Sequence, residues 1–324
     1  MRKSLQDILS PLKGDLGRVD EKIQSQLKTG IDLLDESALH LFSRGGKRIR
    51  ASLVLLTSGL FGEMPEGIYD LAASAEIVHA ATLIHDDIID QAFLRRGDET
   101  VSVKFGSKAA VLAGDYMYTV ALKIAVEDGC SDLFPFMVYG TRDMVQGELY
   151  QLQYSNIDSI TEEHYYNIIK LKTASFMETC ARLGARKAEV PVDVAEKLGH
   201  YGLSLGYAFQ IIDDTLDVVQ ADEVTGKDSG NDFLDGKITL PFLYLLRNSD
   251  EPLKKELEAM ASEPDAEKWP EIRQMIINAG GIEYCFNIAR DYINEALDSL
   301  KDIPVSENRR ILEELANFII DRDY

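Results

Sequence analysis

Three observations predict an all-α fold for this chain of 324 residues. Apolar residues recur at helical spacing almost throughout, as on the buried faces of amphipathic helices. No segment combines period-two alternation with many β-branched residues, which is the pattern of strands. Capping residues stand before acidic first turns at three predicted helix starts, namely Thr161, Asp193 and Ser306.

The segments with helical periodicity are residues 20–42, 51–62, 67–90, 107–127, 132–153, 161–186, 193–219, 239–247, 252–261, 268–279, 281–301 and 306–321. Two polar stretches, 91–104 and 220–238, are predicted to be loops beside charged motifs, where binding loops and lids are common. No composition shift marks a linker. We therefore predict one all-α domain that spans residues 1–324.

The charge balance limits the classes of ligand. The chain has 34 Lys and Arg against 55 Asp and Glu, a net charge of −21. This excess of negative charge disfavours nucleic acid and anionic membrane surfaces as partners.

Three scattered cysteines, Cys130, Cys180 and Cys285, do not form a disulfide framework. The polar N-terminal region is unlike a signal peptide. The sequence contains no run of 18 apolar residues, so no membrane span is predicted. We expect a cytoplasmic protein.

Two aspartate-rich motifs are the most informative feature. Asp86, Asp87 and Asp90 read D-D-x-x-D, and so do Asp213, Asp214 and Asp217. On a helix, the first and last aspartates of such a motif are one turn apart and share a face. One copy alone could be a solvated helix end, but the second copy, also after an apolar run, disfavours that explanation. Clustered carboxylates in apolar surroundings require compensating cations. Hard divalent cations with substrate phosphates would supply them, which indicates diphosphate chemistry.

A basic segment interrupts the acidic chain at residues 44–50, with the sequence RGGKRIR. Its glycines allow a ligand to approach the backbone closely, and Arg and Lys donate to phosphate oxygens. The start of the following helix also favours anions. A solvated basic turn is the alternative. Other isolated cations, in residues 95–97, at Lys172 and in the polar loop after the second motif, are not specific by themselves.

These motifs together resemble the trans-isoprenyl diphosphate synthases, or polyprenyl synthetases. The resemblance covers nearly the whole chain, and the motifs occur in the family's order. They are GGKRIR at 45–50, HAATLIHDDIIDQAFLRRG at 79–97, GELYQ at 147–151, KTASF at 172–176, FQIIDDTLD at 209–217 and GKDSGNDFLDGKITLP at 226–241. The resemblance implies an all-α helical bundle of the isoprenoid synthase type around a central cavity. It also implies a homodimer, and a transferase of isoprenoid biosynthesis.

The resemblance also implies a role for particular residues. Asp86, Asp90, Asp213 and Asp217 would bind three Mg²⁺ ions, within catalytic motifs that include Asp87 and Asp214. The allylic diphosphate would be held by Arg95, Lys172, Lys227 and Lys237. The diphosphate of isopentenyl diphosphate would be held by Lys47, Arg50, His79 and Arg96. Thr173 and Gln210 would present oxygens to the developing carbocation. His85, beside the aspartates, is not assigned a role.

Residues just before the first motif bear on product length. Ala81 stands five residues before Asp86, and Thr82 stands four before it. Five residues span roughly 7.5 Å of helix, which would place Ala81 below the metal site. Short-chain members of the family tend to carry an aromatic residue at this position. The small side chain, together with the absence of a two-residue insertion in the motif, predicts a long all-trans product of roughly six to ten isoprene units by resemblance. Phe134, Phe136 and Met137 are candidates for the tunnel floor.

Five alternative functions are weighed against this prediction. One is a short-chain farnesyl or geranylgeranyl diphosphate synthase, and another is the catalytic subunit of a heteromeric synthase. A class I terpene cyclase shares the fold, but it would not need the GGKRIR segment or Arg96. A non-catalytic regulatory subunit would have lost its aspartates, and here both motifs are intact. A calcium-binding loop protein is disfavoured because the D-x-[DN]-x-[DN]-G pattern is absent. A lipid product could bring the protein to a membrane surface, although no anchor is predicted.

Overall fold

A computed structural model describes residues 3–43, 45–95, 97–127, 133–154, 157, 160–219 and 230–321. These residues are overwhelmingly helical, so the prediction of an all-α fold is confirmed. The helices that begin in residues 3–154 are α1 (Leu5–Ile8), α2 (Lys13–Leu27), α3 (Asp32–Leu39), α4 (Ile49–Ser58), α5 (Ile68–Ile89), α6 (Val101–Phe105), α7 (Ser107–Glu127) and α8 (Phe134–Gln153). Short 3₁₀ turns lie at Ser10–Leu12 and His40–Phe42.

The helices that follow residue 160 are α9 (Glu162–Ile169), α10 (Ser175–Lys187), α11 (Val192–Val219), α12 (Asn231–Leu234), α13 (Leu240–Asn248), α14 (Glu251–Ser262), α15 (Trp269–Asn278), α16 (Gly281–Ser299) and α17 (Glu307–Ile320). A π-helical segment, Lys170–Ala174, joins α9 to α10. The predicted helix 161–186 is therefore interrupted by a wider turn, of the kind that is frequent at functional sites.

The prediction of one helix over residues 20–42 is wrong. The helix is interrupted between α2 and α3, where Gly30 adopts a φ of 86°, a left-handed conformation that favours glycine. The carboxylate of Asp35 closes the break by accepting from the backbone N–H groups of Thr29 at 2.8 Å and Gly30 at 3.1 Å. Helix α2 also begins earlier than predicted, because the apolar positions Val19, Ile23 and Leu27 already form its buried face.

The predicted loop 91–104 contains regular structure. Strands β1 (Leu94–Arg95) and β2 (Asp98–Glu99) pair antiparallel, with Leu94 opposite Glu99 and Arg95 opposite Asp98. They are the only strands within the described ranges. Helix α6 follows directly, with the Thr100 hydroxyl accepting from the Val103 N–H at its start. This hairpin is too short for a period-two pattern to reveal it in the sequence.

The Cα positions group the chain into two compact units. The first comprises Met1–Arg142, Met177–Gly202 and Leu300–Leu315, and the second comprises Asp143–Phe176, Leu203–Ser299 and Ala316–Tyr324. At the centre of the first unit, α5 packs against α2, α4 and α7. Most of its side chains are buried on several sides, which fits its apolar composition all round. In the second unit, α13 packs against α15 and α16.

Helix α7 is long and apolar enough to cross a membrane by length and composition alone, with a mean hydropathy of 1.4 over 18 residues. A core helix passes the same test, and 44% of this window is buried inside the protein. The feature is therefore weak evidence, and the absence of a spanning segment stays a prediction.

Candidate active site

The first aspartate motif ends α5, in the first unit. Asp86 is half-buried and Asp90 is exposed at the helix C-terminus, where the Asp90 N–H donates to the Asp86 carbonyl at 2.8 Å. These two carboxylates are four residues apart and lie on the same face of the helix. The arrangement agrees with the spacing argument from the sequence.

The middle aspartate has a different environment. Asp87 is 1% exposed and accepts from Arg95 Nε at 2.8 and 2.9 Å, while Arg95 Nη2 lies 2.7 Å from Asp87 Oδ1. Such charge-assisted pairs are among the strongest hydrogen bonds in proteins. In this structure Arg95, to which the family resemblance assigns a diphosphate, therefore connects β1 to the end of α5.

His85 packs against the neighbouring helix α7. Its Nε2 lies 3.2 Å from the Val111 carbonyl and 3.6 Å from Asp115 Oδ1. Tyr118 lies one turn further along α7, and burial together with the charges of Asp86 and Asp115 raises its pKa. These contacts indicate that His85 anchors the end of α5 on α7.

In the second motif, which lies in the second unit, the middle aspartate is again more buried than the first. Asp213 is exposed and Asp214 is 6% exposed. Asp214 accepts from the Tyr165 hydroxyl and from Gln210 Nε2, each at 2.7 Å. Burial raises the pKa of Asp214 to about 7, although these two hydrogen bonds oppose the shift. The middle aspartate of each motif is thus held by other side chains of the protein.

Asp217 is half-buried, and burial raises its pKa as well. Its carboxylate accepts from the backbone N–H groups of Asn231 at 3.3 Å and Asp232 at 3.1 Å. Asp217 therefore holds the first turn of α12. Helix α12 lies in the segment 220–238 that was predicted to be a loop. It carries another half-buried carboxyl, Asp232, whose pKa is raised by desolvation and by the charges of Asp214 and Asp217.

A hydrogen-bond chain links Asp214 to Thr173. The Thr173 hydroxyl donates to Gln210 Oε1 at 2.9 Å, and Gln210 Nε2 donates to Asp214. This chain fixes the orientation of the Gln210 amide. Because the Thr173 hydroxyl donates its proton to Gln210, the lone pairs of its oxygen remain free to face another group. The structure therefore brings together Thr173, Gln210 and Asp214 within the second unit.

Lys172 precedes Thr173 in the π-helical segment and forms an ion pair with Glu148 of α8. Glu148 is 8% exposed, whereas the Lys172 side chain is 27% exposed, so the carboxylate is shielded from water and the ammonium group is partly accessible. The close approach of α8 depends on Gly147, because a Cβ there would lie 2.7 Å from the Lys172 backbone nitrogen. In the sequence, only the resemblance of GELYQ to a family motif indicated that Gly147 and Glu148 belong to the site. No local pattern shows that they lie opposite Lys172.

The remaining site residues fall into three groups. In the first unit, Lys47 is exposed, Arg50 and His79 are half-buried, and the Thr82 hydroxyl donates to the His79 carbonyl at 2.7 Å. Ala81 and Met137 are fully buried, whereas Phe134 is 37% exposed. In the second unit, Lys237 pairs with Asp235 at 3.1 Å. Arg96 and Lys227 lie outside the described residues.

The carboxylates suit a hard divalent cation. Across the described ranges, no three His, Cys, Asp or Glu side chains converge to form a complete metal site. Mg²⁺ does not require one, because it is usually bound by one or two carboxylates, with waters and substrate phosphates completing an octahedron. Asp86 with Asp90, and Asp213 with Asp217, are donor pairs of this type. The residues present therefore fit Mg²⁺ bound together with a diphosphate.

Comparisons with known proteins agree with this chemistry. The sequence profile of the polyprenyl synthetase family matches residues 31–277. The chain is 35% identical to a geranylgeranyl diphosphate synthase of Saccharolobus solfataricus over 95% of this chain and 96% of that protein. It is 34% identical to heptaprenyl diphosphate synthase component 2 of Geobacillus stearothermophilus, over 99% of both chains.

The fold is also similar to solved structures. A polyprenyl synthase from Caulobacter crescentus, complexed with calcium and isoprenyl diphosphate, superposes with a TM-score of 0.93 at 32% identity, covering 99% of both chains. That complex places a divalent cation and a diphosphate in a protein of the same fold.

Proposed function

The chain belongs to the polyprenyl synthetase family of trans-prenyltransferases, and we propose that it makes a long-chain all-trans polyprenyl diphosphate. An allylic diphosphate, such as farnesyl or geranylgeranyl diphosphate, is condensed repeatedly with isopentenyl diphosphate, and one diphosphate is released at each step. The observation that carries the proposal is that, in both aspartate motifs, the middle aspartate and the outer aspartates have different environments. Asp87 and Asp214 are fixed by other side chains, while Asp86, Asp90 and Asp213 occupy the less buried positions.

The proposed reaction begins with departure of the diphosphate from the allylic substrate, whose C–O electron pair leaves with the diphosphate. Mg²⁺, when bound, would act as a Lewis acid that stabilises the charge on this leaving group. Asp86, Asp90, Asp213 and Asp217 would hold three such ions. Arg95, Lys172, Lys227 and Lys237 would bind the same diphosphate, so Arg95 and Lys172 would exchange part of their contacts with Asp87 and Glu148 for phosphate oxygens.

The second step joins two carbon atoms. The double bond of isopentenyl diphosphate attacks the allylic cation, a carbon–carbon bond forms, and a proton is then lost to the released diphosphate. Lys47, Arg50, His79 and Arg96 would hold isopentenyl diphosphate in position for this attack. The oxygens of Thr173 and Gln210, ordered by the chain to Asp214, would face the positive charge. An apolar cavity around the tail would exclude water that quenches the cation.

The small side chain of Ala81 supports a long product, because an aromatic residue there would limit the space for the prenyl tail. The relatives include both short-chain and long-chain synthases, so a geranylgeranyl diphosphate synthase is the main alternative. Phe134, Phe136 and Met137 remain proposed floor residues. Met137, which is fully buried, suits a floor position better than the exposed Phe134 does.

We further propose that the enzyme is a homodimer that is active without another subunit. The name "component 2" of the Geobacillus relative supports the alternative of a two-component synthase. The presence of both aspartate motifs supports a catalytic rather than a regulatory chain in either case. Activity of the purified chain alone would separate the two assemblies.

One incubation tests the reaction and the product length together. Purified protein is mixed with farnesyl diphosphate, labelled isopentenyl diphosphate and Mg²⁺, and the products are sized with and without phosphatase treatment. We expect a ladder that ends at a long prenyl diphosphate and becomes extractable as prenyl alcohols after phosphatase. A product of three or four isoprene units would support the short-chain alternative. Free hydrocarbons formed without phosphatase would indicate a terpene cyclase instead.

A further inference from the structure

One residue of the basic segment 44–50 does not behave like a ligand for anions. Arg48 has φ 49° and ψ 33°, a left-handed conformation that is uncommon for residues other than glycine. Its side chain is only 10% exposed. By contrast, Lys47 beside it is exposed. An unusual backbone conformation persists only where the surroundings hold it in place, so the contacts of the Arg48 side chain must stabilise this conformation.

The Arg48 guanidinium is bound by two helices of the first unit. Its Nε donates to Asp20 Oδ1 of α2 at 3.0 Å, and its Nη2 lies 2.9 Å from the same oxygen. Its Nη1 lies 3.6 Å from Glu76 Oε2 of α5. The guanidinium also lies 5.2 Å from the centre of the Phe42 ring, which precedes the segment. Arg48 therefore connects the basic segment, and Phe42 before it, to α2 and α5.

Glu76 has a second contact that places the next helix. It is 5% exposed, and its Oε1 accepts from the backbone N–H of Ala51 at 3.0 Å. Helix α4 has no cap from the side chain of its own N-cap residue, so Glu76 satisfies one of the N–H groups that a helix start leaves open. Because that N–H is taken, an anion bound here depends on the side chains of Lys47 and Arg50 more than on the helix terminus.

The position of Glu76 on α5 links these contacts to the substrate residues. His79 follows Glu76 by three residues, so both side chains lie on one face of α5. The Glu76–Ala51 hydrogen bond therefore fixes the start of α4, which carries Arg50, against the face of α5 that carries His79.

We propose that Arg48, Asp20 and Glu76 form a positioning clamp for isopentenyl diphosphate, here called the Arg48 clamp. Arg48 does not contact the substrate; it holds Lys47 and Arg50 in register with His79. This inference rests on the proposed function. It predicts that loss of the clamp weakens isopentenyl diphosphate binding and leaves the allylic substrate, assigned to other residues, unaffected.

The test uses two variants of the clamp and one control. Arg48→Gly removes the guanidinium, and glycine tolerates the left-handed backbone. Glu76→Gln keeps an oxygen for the Ala51 N–H but removes the charge facing Arg48. Lys22→Ala is the control, because it removes an exposed ion pair of 2.8 Å to Asp70 between the same two helices, α2 and α5.

The readouts are the two KM values, kcat, the melting temperature, and calorimetric binding of isopentenyl diphosphate without allylic substrate. We expect Arg48→Gly to raise the KM and Kd of isopentenyl diphosphate about tenfold, which is the pattern of lost ground-state binding. Glu76→Gln should cause a smaller rise, and neither variant should change the allylic KM by more than about twofold. Lys22→Ala should match the wild type.

Equal rises in both KM values, or a lower melting temperature with both KM values unchanged, would overturn the clamp and leave the proposed function standing. Absence of isopentenyl diphosphate binding by the wild-type chain would overturn the proposed function and the clamp with it.

Discussion

Gly147→Ala tests whether the contact between α8 and the π-helical segment positions the reacting side chains. A Cβ at residue 147 would lie 2.7 Å from the Lys172 backbone nitrogen and 3.0 Å from the Leu171 carbonyl carbon. Both are backbone atoms, so no side-chain rotation relieves the overlap. Ordinary contact begins at 3.4 Å, so the two segments must separate by about 0.7 Å.

A displacement of this size moves the π-helical segment that carries Thr173. If the movement is directed along the Thr173–Gln210 hydrogen bond, its length of 2.9 Å grows to about 3.6 Å, beyond hydrogen-bonding range. Since a misplacement of about 1 Å can reduce the rate by about a hundredfold, we expect kcat/KM to fall roughly ten- to a hundredfold. Overpacking should also cost about 1–3 kcal/mol of stability.

The assay is steady-state incorporation of labelled isopentenyl diphosphate, with the melting temperature measured in parallel. Gly17→Ala is the matched control, because Gly17 lies in α2 with no atom within 4 Å of its would-be Cβ. That substitution should leave kcat/KM unchanged and stabilise the helix by about 0.5–1 kcal/mol. A Gly147→Ala enzyme within twofold of the wild-type kcat/KM would refute the positioning argument.

Two further predictions concern Asp214 and Ala81. Because the folded pKa of Asp214 is about 7 and its ordinary value is 3.8, the folded protein retains a proton that the unfolded chain has lost. In EDTA, the free energy of unfolding should therefore fall by up to about 4 kcal/mol as the pH rises from about 4 to 7. Denaturant titrations should show a flatter pH profile for Asp214→Asn, and an unchanged slope would contradict the assignment. Ala81→Tyr should shorten the product in a folded enzyme while Ala81→Ser keeps its length; unchanged length with tyrosine would exclude Ala81 as a determinant.

Much of the secondary structure could be predicted from periodicity. The predicted bounds of α7 match the observed helix, and those of α5 differ by one residue at each end, because long apolar patterns are unambiguous. The break at residues 28–31 was missed because the apolar spacing continues across it. Its signals, Gly30 and the capping carboxylate of Asp35, are recognisable only when the turn is considered by itself.

Candidate site residues could be proposed from the sequence, but the side chains that contact them could not. The spacing of D-D-x-x-D shows that the first and last aspartates share a face. It does not show that Arg95 neutralises Asp87 or that Tyr165 and Gln210 hold Asp214. These contacts depend on tertiary packing. For the same reason, the charge pattern alone did not distinguish the four cations of the basic segment, whereas the structure shows Arg48 paired with Asp20 and Glu76.

The most direct test of the account measures isopentenyl diphosphate incorporation against Mg²⁺ concentration for the wild type, Asp86→Ala and Asp213→Ala. We predict no turnover in EDTA, turnover restored by Mg²⁺ in the wild type, and a loss of about a hundredfold or more in each variant with the melting temperature preserved. Incorporation that does not depend on the metal, or a near-normal rate in either variant, would contradict the claim that these carboxylates hold the metal ions of a prenyl diphosphate synthase.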